Sequence, residues 1–196
     1  MTRIAVYGGS FDCPHVGHLL VAAYALSVLD PDEFLVVPCY EHGNGKNLTS
    51  FEHRHAMTEL AMSALSPKVF VTDIESKLRN RYTADLLLGL KERYPVNTEF
   101  TVIVGADVAN QLPTWHRGNE VLAMAKIAVV ARYGEQINDP SFRVLNAAVP
   151  NVESHVIRGL LQQGDIAAAA AVLPAKVLSY IQKHNLYGVE AQDVAA

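Results

Sequence analysis

Apolar residues fall into two alternating patterns along the chain. The first is short, nearly continuous runs rich in Val, Ile and Phe: RIAVYG (3–8), EFLVVP (33–38), KVFVTDI (68–74), EFTVIVG (99–105), KIAVVAR (126–132) and FRVLNAAV (142–149). These predict strands. The second is longer stretches with helical periodicity: HVGHLLVAAYALSVL (15–29), FEHRHAMTELAMSAL (51–65), TADLLLGLKERY (83–94), EVLAMA (120–125), SHVIRGLLQQG (154–164) and AKVLSYIQKHN (175–185). AAAAAV (167–172) reads as helix or its edge. Strands that are apolar on both faces and separated by helices imply an α/β fold, a parallel sheet covered on each side. There is no Pro/Gly/Ser-rich linker and no internal repeat. The expectation is one domain: a core over 1–150, a small helical C-terminal extension over 151–188, and a tail over 189–196.

Composition narrows the function classes. The chain has 196 residues, half of them hydrophobic, and a net charge of −4. That is enough apolar material for a sizeable core. No apolar stretch reaches the roughly 18 residues of a bilayer span. Mild acidity argues against tracking a nucleic-acid backbone, which needs a basic face. Two cysteines make no disulfide framework, and MTRIAVYGG lacks the pattern of a signal peptide, so the expected compartment is the cytoplasm.

Candidate chemistry concentrates in YGGSFDCPHVGHLL, residues 7–20. Gly8 and Gly9 let a backbone turn sharply and let a ligand approach it. The helix that follows opens with unpaired N–H groups and a partial positive charge, a site suited to phosphate. His15 and His18 share one face of its first turn. In parallel sheets ligands bind beyond the carboxyl ends of the strands where the order reverses, and GAD (105–107) lies at another such end. A metal reading would gather Cys13, His15, His18, Cys39 and His42, but C-x-H-x-x-H lacks a structural-zinc signature. No protein-held metal is expected.

GGSFDCPHVGHLL resembles the GSFDPxHxGH loop of the HxGH nucleotidyltransferases, and within them the bacterial nicotinate-nucleotide adenylyltransferases. The likeness extends through RYTADLLLGLKERYP, IVGADVANQLPTWHRGNEVLAMAKIAVVAR and the ending VIRGLLQQG…LPAKVLSYIQKHNLYG. It implies a Rossmann-like doubly wound sheet. It also implies adenylyl transfer from ATP to nicotinate mononucleotide, giving deamido-NAD and pyrophosphate, with Mg²⁺ bound through the ATP phosphates and water. Nicotinamide mononucleotide or phosphopantetheine would be alternative acceptors, and a nucleotide-binding protein without turnover a further reading. The oligomeric state stays open, a homodimer included.

By the resemblance, Gly8, Gly9, His15 and His18 meet ATP, the two histidines at the reacting phosphates. Ser10 and Phe11 line the mononucleotide side. Lys46, in HGNGK, matches the region of a phosphate-binding cation. Gly105 and Asp107 match positions near the ATP ribose and adenine. Arg132 and Arg158 are further phosphate candidates. Trp115 offers a face for the pyridine ring, and Thr83, Ala84, Trp115 and His116 match backbone contacts to its carboxylate. The family's I-S-S-T-x-I-R reads here as VESHVIR (152–158): Ser154 survives, Glu153 replaces a serine, and His155 replaces threonine.

Overall fold

The computed structural model describes residues 1–43, 45–79, 82–131, 136–146 and 149–189. Six parallel strands form one sheet: β1 (Arg3–Gly9), β2 (Glu33–Pro38), β3 (Val69–Val71), β4 (Glu99–Gly105), β5 (Lys126–Ala131) and β6 (Arg143–Asn146). Their order is β3-β2-β1-β4-β5-β6. This is a doubly wound arrangement whose order reverses between β1 and β4. The helices are α1 (Val16–Leu29), α2 (Phe51–Met62), α3 (Ile74–Leu78), α4 (Thr83–Lys91), α5 (Ala106–Ala109), α6 (Gly118–Met124), α7 (Ser154–Gln162), α8 (Ile166–Ala170) and α9 (Ala175–Lys183).

The strands look continuously apolar because both faces are buried. Ile4 and Val6 of β1 join Leu86, Leu87 and Leu90 of α4 and Val121 of α6. Ala5 and Tyr7, pointing the other way, join Ala22 and Ala25 of α1 and Met62 of α2. A third cluster joins Cys13 and the α2 residues Met57 and Ala61 to Ile157, Leu161, Val177 and Ile181 of the C-terminal helices. The C-terminal segment therefore packs on α2 and on the loop after β1. Among the described residues no helix is long and apolar enough to cross a membrane.

Two local expectations shift. The strand expected over 68–74 stops at Val71, because the Thr72 hydroxyl accepts the Ile74 N–H (3.3 Å) and turns the chain into α3. α3 and α5 are too short to leave a periodic signature. β5 is described over Lys126–Ala131 and β6 over Arg143–Asn146; residues 147 and 148, and Arg132 with its expected phosphate role, lie outside the described residues.

Candidate active site

The reversal of strand order places the carboxyl ends of β1 and β4 side by side, with Tyr7 opposite Ile103. Gly8–Gly9 thus neighbours Val104–Gly105. The sharp turn expected at Gly8–Gly9 is not there: both glycines are the last residues of β1, paired with Val37 and Pro38, and neither has a positive φ. The chain turns instead at Phe11, in the left-handed region at φ 49. The two glycines do different things. A Cβ on exposed Gly8 would meet nothing within 4 Å, so that backbone is open to a close approach. A Cβ on Gly9 would press on the Phe11 ring at 3.1 Å. Phe11 itself is 1% exposed, edge-on to Tyr7 at 5.4 Å. Its ring supports the loop from the core side.

His15 and His18 form a reciprocal cap on α1. His15 Nδ1 accepts the Gly17 N–H (3.2 Å), and His18 Nδ1 accepts the His15 N–H (3.2 Å). An imidazole whose Nδ1 accepts a hydrogen bond carries its hydrogen on Nε2. The rings lie 3.9 Å apart, tilted by 36°. His18 is held well below the ordinary imidazole value, first by removal from water and then by repulsion from His15. It is a neutral donor. Two of the first-turn N–H groups expected to be unpaired are taken: Gly17 N–H bonds His15 Nδ1 within the cap, and Val16 N–H bonds the Val172 carbonyl (3.0 Å), while the Leu19 N–H to the His15 carbonyl (3.2 Å) is the first rung of the helix ladder. The Nε2–H of each imidazole adds a donor to a turn whose helix N–H groups are partly taken.

Residues without a sequence-derived role hold the loops after β1 and β2 in place. Asp12, 4% exposed, accepts the Tyr187 hydroxyl (2.6 Å) on one carboxylate oxygen and the Thr49 N–H (3.1 Å) on the other. Arg54, 1% exposed, donates to the carbonyls of Ser10, Thr49 and Tyr40. Glu75 accepts the Tyr40 N–H (3.0 Å), and burial pushes its carboxyl up to about 7, against the opposing pull of that N–H and of Arg54. One of these had a readable sign: Arg54 shares the helical stripe of Met57, Thr58 and Ala61, a charge on a buried face.

The C-terminal candidates meet the same loop. The Ser154 hydroxyl donates to the Cys13 carbonyl (3.0 Å), and Arg158 to the Asp12 carbonyl. Exposed His155 pairs with Glu153 (3.1 Å), so that carboxylate faces its own neighbour. Lys46 is exposed on the loop after β2, near enough that it, after partial burial, helps hold His42 below its usual value.

A second group gathers at the start of α4. Tyr82 stacks on exposed His116 (4.3 Å, 31°), and Arg117 bridges to Asp85 (2.8 Å) and Glu120 (2.6 Å). Thr83 and Ala84 occupy the first turn of α4, whose ladder begins with Asp85 and Leu86 N–H bonding the Tyr82 carbonyl. Trp115 is half-buried against the core, and its own N–H is taken by the Leu112 carbonyl (3.1 Å). Gly105 caps α5, and exposed Asp107 lies in its first turn, at the edge of the crevice.

These residues do not make a metal cage. Among the described residues no three His, Cys, Asp or Glu side chains converge on a point. Cys13 is fully buried, its thiol pushed up to about 12 chiefly by burial. A cleft of about 500 Å³ lies at the opposite, amino-terminal end of the sheet, but its lining cations are already engaged: Arg3 pairs with Asp30 (3.6 Å), Lys126 with Glu99 (2.5 Å), and Arg143 donates to the Val28 carbonyl (3.0 Å).

The profile of the cytidylyltransferase-like family matches residues 6–167. A protein of Myxococcus xanthus described as a probable nicotinate-nucleotide adenylyltransferase is 33% identical over 96% of each chain. One of Anaeromyxobacter dehalogenans with the same description is 36% identical over 94% of this chain and 96% of that one. Among solved structures, the Plasmodium falciparum nicotinic acid mononucleotide adenylyltransferase complexed with NaAD superposes with a TM-score of 0.85 at 26% identity, covering 98% of this chain and all of that one.

Proposed function

The chain belongs to the nicotinate-nucleotide adenylyltransferases of the cytidylyltransferase-like family, and from that premise we propose that it joins nicotinate mononucleotide to ATP. The products are deamido-NAD and pyrophosphate, a step of NAD biosynthesis. A phosphate oxygen of the mononucleotide attacks the α-phosphorus of MgATP in line. One P–O bond forms there, the bond to the β-phosphate bridge breaks, and its electron pair leaves with pyrophosphate. The attacking phosphate has a second pKa of about 6, so it needs no general base.

The obstacle is repulsion between two anions, and this chain's residues are placed to offset it. The supporting observation is the reciprocal histidine cap at the β1–β4 crevice, with hydrogen on both Nε2 atoms. His15 and His18 donate these to the triphosphate, His18 where charge develops. Gly8 lets the nucleotide lie against the backbone, Ser10 faces the mononucleotide, and Lys46 follows the phosphates from the facing loop. Ser154, His155 and Arg158 complete the ATP side, while Gly105 and Asp107 take its nucleoside. The first turn of α4 at Thr83 and Ala84, with Trp115 and His116, receives the pyridine. The protein works in the cytoplasm.

The test is pyrophosphate release with ATP and each of the two pyridine mononucleotides. Release that requires nicotinate mononucleotide supports the assignment; nucleotide binding without release from any acceptor refutes it.

A further inference from the structure

We propose that Arg54 is a positioning residue for the transfer. Its buried guanidinium locks the loop after β1 against the loop after β2, so that the phosphates carried by the two loops meet at one point. The role rests on the reaction assigned above.

The two loops approach through a closed circuit of hydrogen bonds. Gly9 accepts the Cys39 N–H (2.9 Å), and Asp12 accepts the Thr49 N–H (3.1 Å). Arg54 ties the same segments from beneath: Nη1 to the Ser10 carbonyl (2.9 Å), Nε to the Thr49 carbonyl (2.8 Å), Nη2 to the Tyr40 carbonyl (3.2 Å). The third segment is itself held, because Tyr40 N–H bonds Glu75. Ser10 follows directly on the open backbone at Gly8–Gly9, and the span from Tyr40 to Thr49 contains Lys46. One planar fork therefore fixes three carbonyls on two neighbouring loops.

Two physical facts make the fork an alignment device. A buried guanidinium must keep its acceptors, since an unpaired buried charge is costly, so the carbonyls cannot drift independently. A lysine at this position could not reproduce the geometry: its three donors radiate from one point, whereas the guanidinium spreads five in a plane. The reciprocal histidine cap uses none of these contacts, so it stays intact when the fork is lost. The expected defect is misalignment between the two substrates, and a displacement of about 1 Å in such a reaction costs on the order of 100-fold in rate.

The experiment is Arg54→Lys in the full chain, assayed beside wild type for kcat, for KM of each substrate, and for backbone amide exchange. We expect kcat to fall by about 100-fold and KM for ATP to change by less than about threefold. Amides of Cys39, Tyr40 and Thr49 should lose protection together, while Val129 in β5 keeps its own. A fall in kcat that only matches the loss of folded fraction, so that kcat per folded molecule is that of wild type, would mean a merely structural residue and overturn the proposal. A kcat within about threefold of wild type, with those three amides still protected, overturns the proposal. Should the variant not fold, the wild-type guanidinium is read directly by ¹⁵N spectroscopy. Slowly exchanging Arg54 Nε–H and separate Nη–H signals that shift on adding nicotinate mononucleotide support the role; signals indifferent to both substrates refute it. Wild type that releases no pyrophosphate sinks the reaction and this role within it, whereas active wild type with an unimpaired variant sinks the role of Arg54 alone.

Discussion

At the scale of single residues, the role proposed for His18 is that of a neutral donor, in keeping with the direction of its pKa shift. Its depressed pKa means the unfolded chain takes up a proton below about pH 6.5 that the folded chain refuses. Its contribution to stability is therefore present above that pH and is lost as pH falls. The kcat/KM profile should show no decline between pH 6.5 and 8 from loss of a His18 proton; a falling limb in that window that disappears in His18→Asn would contradict this. His18→Ala removes the acceptor of the His15 N–H and should cost about 0.5–2 kcal/mol of stability, while lowering kcat per folded molecule by about 10²–10³, the usual cost of a donor aimed at developing charge. The adjacent glycines separate binding from folding. Gly8→Ala puts a methyl into open space, so KM for ATP should rise with stability unchanged. Gly9→Ala pushes on a buried ring and should lower stability instead; a reversed pattern would show that the two roles are misassigned.

At the scale of elements, short helices and turns do the bracing. α3 is five residues long, yet it supplies Glu75 to the Tyr40 N–H. The folded carboxyl, at about 7, binds its proton more tightly than an unfolded glutamate at 4.5. Its stabilisation is complete below pH 4.5 and lost as pH rises through 7. Relative to Glu75→Gln, wild type should lose on the order of 3 kcal/mol between pH 4.5 and 8 in urea titrations; parallel curves for the two proteins would disprove it. The 3-10 turn at Leu186–Gly188 braces the other loop, the one after β1, through Tyr187 and Asp12. Tyr187→Phe leaves a buried carboxylate oxygen without its donor and should cost about 1–3 kcal/mol of stability.

At the scale of the whole molecule, the C-terminal helices serve the site by packing. Ile181 of α9, fully buried, sits in the same cluster as Cys13 of the loop and Met57 of α2. Ile181→Ala should destabilise by about 2–5 kcal/mol and should loosen the loop before the sheet. Amide exchange would show this as lost protection at Thr49 ahead of Val129; simultaneous loss would mean that the sheet and its C-terminal cover open as one unit.

The order of strands and helices was readable from the chain because burial on both faces imposes a local pattern: continuous apolar strands and periodic helices. The crevice was readable too, since Gly8, His15, His18 and Gly105 lie at strand ends that the alternation already marks. The straight run of β1 through its glycines, the short α3 and α5, and the partly taken N–H groups of α1 were not, because each depends on which distant group arrives. Val172 reaches back to Val16, Tyr187 to Asp12, and one guanidinium of α2 to three separated carbonyls. Local periodicity fixes which residues must leave water. Only the closed fold decides which buried polar groups find one another, and those pairings set the histidine tautomers and the shape of the loop.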